Sequence, residues 1–189
     1  MENFQEIIGK ALDGLDNDTH MYPNRDFPNK CIQCSTPLNK GINPQYKLKK
    51  KQYDLSHTYD GYTIVSERFK QFCLKNNFKG LVFSPLPNDK NFYVFRSNNI
   101  FEIDPIRRKV KFDRYCDKCK RFTSVAGGTP AFSKYSDKKL KNTIYRSDIE
   151  FGGIYELSPF LIISLEVFEL IRKEKFKGIY FGKNSIIYL

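Results

Sequence analysis

The chain predicts an α+β domain: a mixed sheet built from two strand-helix-strand pseudo-repeats and clipped by a four-cysteine zinc knuckle pair. Two observations predict it. Two Cys-x-x-Cys pairs, Cys31/Cys34 and Cys116/Cys119, stand apart by positions 35 to 115, which is 81 residues. Residues 64–83 can also be laid over residues 162–181 without a gap, with identities at Ile64/Ile162, Ser66/Ser164, Lys75/Lys173, Phe78/Phe176, Lys79/Lys177, Gly80/Gly178 and Phe83/Phe181. At 189 residues the simplest organisation is one clipped domain.

In chain order, the first unit is an N-terminal helix with the first knuckle, residues 1–46. Phe4, Ile7, Ile8, Ala11, Leu12 and Leu15 recur at helical spacing, interrupted by Gly9 and stopped near Gly14. Pro23, Asn24, Pro28 and Asn29 before Cys31, and Pro37, Asn39, Gly41 and Pro44 after Cys34, place the first knuckle on a loop.

The first repeat, residues 60–104, opens with a short strand over 62–65 that runs into Ser66, a serine placed to cap a helix. Glu67 favours the positive helix start, and Phe69, Phe72 and Cys73 share one face. Gly80 ends the unit ahead of a second strand over 81–83. Residues 91–96 and 99–104 read as a hairpin about Ser97 and Asn98. The second knuckle and an irregular loop occupy 105–147. The second repeat, 148–189, brings a strand over 160–163, the cap Ser164, Glu166 in the first turn, the apolar face Val167, Leu170 and Ile171, Gly178, and a closing hairpin over 178–181 and 185–189. Cys73 aligns with Ile171 and reads as a core thiol.

A two-residue spacer lets one turn present two thiolates to one ion, so two such turns complete a tetrahedral shell at about 2.3 Å. A structural Zn2+ held by Cys31, Cys34, Cys116 and Cys119 is the expectation. Redox dithiols or merely packed thiols are the alternatives, but a redox Cys-x-x-Cys opens a helix directly after a strand, and neither pair has that context.

Thirty-two basic against 21 acidic residues give a net charge of +11, which points to an acidic partner. The densest basic groups are Lys47, Lys49, Lys50 and Lys51 and then Arg107, Arg108, Lys109 and Lys111, with Lys118, Lys120 and Arg121 about the second metal turn. Lys47, Lys49, Lys50, Lys51, Arg107 and Arg108 are the candidate partner-binding residues, and a solvated surface explains such runs equally well. Tyr53, Tyr59, Tyr62 and Tyr135 are candidate aromatic anchors. No apolar run approaches the roughly eighteen residues of a membrane span, and no cationic leader opens the chain, so a cytoplasmic protein is expected. The two histidines, His20 and His57, belong to no catalytic zinc motif, and phosphate-loop spacings are missing. The chain therefore reads as a binder and not an enzyme.

The order of an early Cys-x-x-Cys, a strand with a Ser-Glu-Arg-Phe helix ending in Phe-Lys-Gly, a second Cys-x-x-Cys and another such unit at the C-terminus resembles the bacterial double-CxxCG motif family and related predicted immunity proteins. The likeness covers most of residues 31–189. It implies an immunity protein that neutralises a cognate toxin, to which the net charge of +11 adds the expectation of an acidic toxin surface. A zinc-ribbon protein that binds nucleic acid is the alternative. One departure is plain: the glycine expected after each second cysteine is Ser35 in the first turn and Lys120 in the second.

Overall fold

The strand around which the sheet is assembled lies at the N-terminus. In the computed structural model, which describes residues 5–137 and 139–189, β1 (Ile7–Asp16) pairs in successive stretches with four other strands. This corrects the helix expected from Phe4 to Leu15; Phe4 lies outside the described residues. The physical reason is burial on both faces. Leu12 packs into one core cluster and Ala11 into another, so the apolar pattern loses the alternation of a half-exposed strand and imitates a helix. Gly9 fits the same account, because a Cβ there would stand 2.3 Å from the Ile163 carbonyl oxygen of the neighbouring strand.

The other elements are β2 (Leu55–His57), β3 (Thr63–Ser66), α1 (Glu67–Lys75), β4 (Leu81–Pro85), β5 (Phe92–Ser97), β6 (Ile100–Phe101), α2 (Pro105–Arg108), β7 (Lys111–Cys116), β8 (Arg121–Ala126), β9 (Ala131–Phe132), β10 (Ile144–Ser147), β11 (Leu161–Ser164), α3 (Leu165–Glu174), β12 (Ile179–Tyr180) and β13 (Ile186–Tyr188). The main sheet runs β4-β5-β3-β2-β1-β11-β10-β6, with β12 and β13 also on β1 and β9 on β13. The β1/β2, β6/β10 and β9/β13 pairs are parallel and the rest antiparallel, so the sheet is mixed and the α+β class holds. It curls until the end of β5 meets β10: Ser97 Oγ donates to the Ile144 carbonyl at 2.7 Å and Arg146 N to Asn99 O at 2.9 Å.

Both main helices start as the sequence predicts. Ser66 Oγ accepts from Phe69 N at 3.2 Å and Ser164 Oγ from Val167 N at 3.3 Å. Phe69, Phe72 and Cys73 from α1 and Val167 and Ile171 from α3 enter one cluster with Leu12, Leu55, Val65 and Ile163. Phe176 joins the helices, its ring centroid 5.3 Å from Phe69 and 5.2 Å from Phe72. Gly178 follows at φ +84°, where a Cβ would meet the Leu55 carbonyl oxygen at 2.4 Å. The second strands of the two similar segments join different partners: β4 pairs with β5, whereas β12 pairs with β1.

Neither expected hairpin forms. β5 pairs with β3 and β4 while β6 lies parallel to β10, and β12 and β13 both pair with β1. A short polar turn permits a hairpin but does not require one when other edges are open to the same amides. The segment read as an irregular loop, 122–147, contains most of β8 and all of β9 and β10. Among the described residues no helix is long and apolar enough to cross a membrane.

Candidate metal centre and basic ribbon

The first knuckle hangs from an isolated bridge between Lys30 and Pro37, and the second is the turn between β7 and β8. Their backbones close alike. Ser35 N donates to Cys31 O at 2.8 Å, and Lys120 N donates to Cys116 O at 2.8 Å. Each donor sits in the left-handed region, Ser35 at φ 60° and Lys120 at φ 57°, the conformation that glycine adopts without cost.

The two turns bring the four sulfurs together. Cys31 Sγ is 3.8 Å from Cys116 Sγ and Cys34 Sγ 3.6 Å from Cys119 Sγ, and all four lie within 4.8 Å of one another. A disulfide needs about 2.05 Å, so these are free thiols. A tetrahedral ion with metal–sulfur bonds of about 2.3 Å sets sulfur–sulfur edges of about 3.8 Å, which the two short edges match. The set therefore fits a metal ion. Cys31 and Cys116 are 3% exposed, and Cys34 and Cys119 are half-buried.

The sulfurs differ in how readily they ionise. Burial raises the Cys34 thiol, but the Thr36 hydroxyl, whose Oγ1 is 3.2 Å away, and the Thr36 amide outweigh it and bring the group down to about 6. The Cys34 and Gln33 amides lower Cys31. Burial and the facing sulfurs of Cys34 and Cys116 push Cys119 up to about 12. Four thiolates this close repel one another, and a bound dication removes that repulsion.

β7 and β8 form a separate two-stranded ribbon. Sequence reasoning missed its exposed aromatic strip: Phe112 is 40%, Tyr115 49% and Phe122 38% exposed. Phe122 lies 5.2 Å from Phe112 and 5.1 Å from Tyr115, centroid to centroid. Residues 112 and 115 should point to opposite faces of a regular strand; Arg114 at φ 54° breaks the alternation between them. The ribbon and its turn also carry Lys111, Arg114, Lys118, Lys120 and Arg121 against Asp113 and Asp117, all of them exposed. The available signal was the run Lys-Phe-Asp-Arg-Tyr, aromatics interleaved with charge directly before a knuckle.

The basic residues singled out from sequence are divided. Lys47 and Lys49 are exposed, whereas Lys50 pairs with Asp18 and Lys51 with Asp89, each at 2.7 Å. Arg107 donates to the Leu189 carbonyl at 2.9 Å and lies over Phe132, while Arg108 donates to Thr129 O at 2.7 Å and buries its Nε. Four of the six thus make specific contacts within the chain. Among the tyrosines, Tyr59 and Tyr135 are exposed, but Tyr62 is buried and donates to Gly41 O at 2.8 Å, which removes it as an anchor.

No protein-family model, curated protein or solved structure matches this chain.

Proposed function

We propose that the protein is a non-enzymatic immunity protein that binds an acidic surface of a cognate toxin through the β7–β8 ribbon, with a structural zinc ion holding that ribbon to the first knuckle. The observation that carries the reading is the ribbon itself: three exposed rings in contact, on a two-stranded sheet that with its turn carries five basic and two acidic residues and brings Cys116 and Cys119 to the cysteine cluster. Partly exposed aromatics are the anchors that protein interfaces favour, and the basic excess on the same ribbon steers an acidic partner. Zinc is the ion that an all-thiolate tetrahedral set selects in a reducing cytoplasm, and four protein ligands leave it no position for a substrate. The resemblance to the double-CxxCG family and the recurring cap serines Ser66 and Ser164 and Phe-Lys-Gly segments support the same reading.

Co-expression tests it. The protein restores growth to cells producing the toxin encoded beside it, and the Phe112→Ala/Phe122→Ala pair abolishes rescue while zinc content and helicity stay unchanged. No rescue by the parent protein overturns the immunity reading.

The same strip supports a second reading, since exposed rings between basic side chains also suit stacking on single-stranded nucleic acid. Salt separates the two. A toxin complex with an aromatic centre survives about 0.5 M salt, whereas phosphate-driven binding falls steeply well below it.

A further inference from the structure

A cavity of about 370 Å³ lies at the end of the curled sheet away from the starts of the main helices. β3 and β11 run into α1 and α3 at Ser66 and Ser164, and the cavity takes Thr63 and Leu161 from the opposite ends of those strands. Residues 36–40 close one side and residues 154–159 another.

Among the described residues four cations line this space, Lys40, Arg96, Arg121 and Arg146, against a single carboxylate, the exposed Glu150. They converge from separate parts of the chain. Among the described residues none of the four forms an ion pair. Their partners are main-chain carbonyls: Lys40 Nζ donates to Asp60 O at 2.8 Å, Arg96 Nη2 to Lys40 O, Arg121 Nη1 to Pro37 O at 3.4 Å and Arg146 Nη1 to Ser147 O at 3.2 Å. Each arginine commits one nitrogen in this way and keeps further N–H donors of its fork. Burial pushes the Lys40 ammonium down to about 8 against the pull of Glu150 and Asp60, and Arg96 adds to the fall. Four like charges around a partly buried space outnumber the one carboxylate that lines it, which is unfavourable, and an anion reverses the sign of that interaction. Ile154, Leu157 and Leu161 supply an apolar wall. Guanidinium forks match phosphate oxygens, and the volume is that of a small-molecule site.

We propose that this cavity binds a small organic phosphate of nucleotide size, its phosphate held by Lys40, Arg96, Arg121 and Arg146 and its uncharged part against Ile154, Leu157 and Leu161. The cavity adjoins the ribbon and shares Arg121 with it, but Lys40, Arg96 and Arg146 lie outside the ribbon, and its occupancy does not depend on the immunity reading.

Titration calorimetry of the metal-loaded protein with adenosine monophosphate tests it, with inorganic phosphate and adenosine as partial probes. The nucleotide binds at least about tenfold more tightly than either part, and Arg146→Ala weakens it about tenfold by removing one charged fork. Lys40→Met guards against a folding artefact: it relieves a buried charge, so the variant folds at least as stably as the parent and still loses about tenfold in affinity. No binding at about 5 mM nucleotide, or affinity unchanged in both variants, overturns the proposal. Inorganic phosphate binding as tightly as the nucleotide also overturns it, because the apolar wall would then contribute nothing.

Discussion

Cys31 and Cys116 are 85 positions apart in sequence, and their sulfurs stand 3.8 Å apart. A metal ion at that point closes a long loop, so its binding free energy becomes folding free energy. The protein is expected to carry one ion per chain, and removing it with a chelator, or replacing Cys116 by Ala, lowers the thermal midpoint by more than about 10 °C. Elemental analysis with scanning calorimetry checks this. Metal-free protein of unchanged stability contradicts it.

The fifth cysteine behaves differently. Cys73 is 1% exposed within the main core, and burial pushes its thiol up to about 12. After chelation under native conditions, an alkylating reagent followed by mass spectrometry labels Cys34 first among the five, and Cys73 only when the chain unfolds. Labelling of Cys73 at the rate of Cys34 would place it outside the core.

Lys40 makes stability depend on alkaline pH. Its folded value, about 8, lies below its ordinary 10.5. Below pH 8 the group is charged in both states and its burial opposes folding in full; as pH rises from 8 toward 10.5 the unfolded chain binds more protons than the folded one, so stability increases. The displacement corresponds to roughly 3 kcal/mol at most. Above pH 10 the trend reverses in part, because burial raises the hydroxyls of Tyr46, to about 12, and Tyr62, which favours folding only while they keep their protons. Urea denaturation between pH 7 and pH 10 shows the rise, and Lys40→Met removes it and is more stable than the parent at pH 7.

Asp54 ties the two halves of the helical layer. It accepts from Ser66 Oγ at 2.8 Å, Arg68 Nη1 at 3.1 Å and Lys177 N at 2.9 Å, joining the cap of α1 to the turn after α3. Asp54→Ala leaves three donors without their acceptor and costs about 3 kcal/mol, whereas Ser164→Ala, which removes a single cap, costs about 1 kcal/mol. Equal losses in denaturant titrations would deny Asp54 this joining role.

What the sequence determined by itself is local. The spacer of each Cys-x-x-Cys sets a turn that presents two sulfurs to one point, Ser66 and Ser164 offer an acceptor where a helix has free amides, and Gly178 permits a backbone angle that a side chain resists. Each rests on atoms a few residues apart, and the α+β class follows from their order. The tertiary structure alone decided which edges pair. Residues 7–16 became a strand because neighbours distant in sequence take their amides and bury both faces, and the same competition sent β6 to β10 and β12 and β13 to β1. It also left Phe112, Tyr115 and Phe122 uncovered and gathered Lys40, Arg96, Arg121 and Arg146 around one space. Hydrogen-bond pairing between strands and the convergence of like charges are relations between remote positions, and no local pattern encodes them.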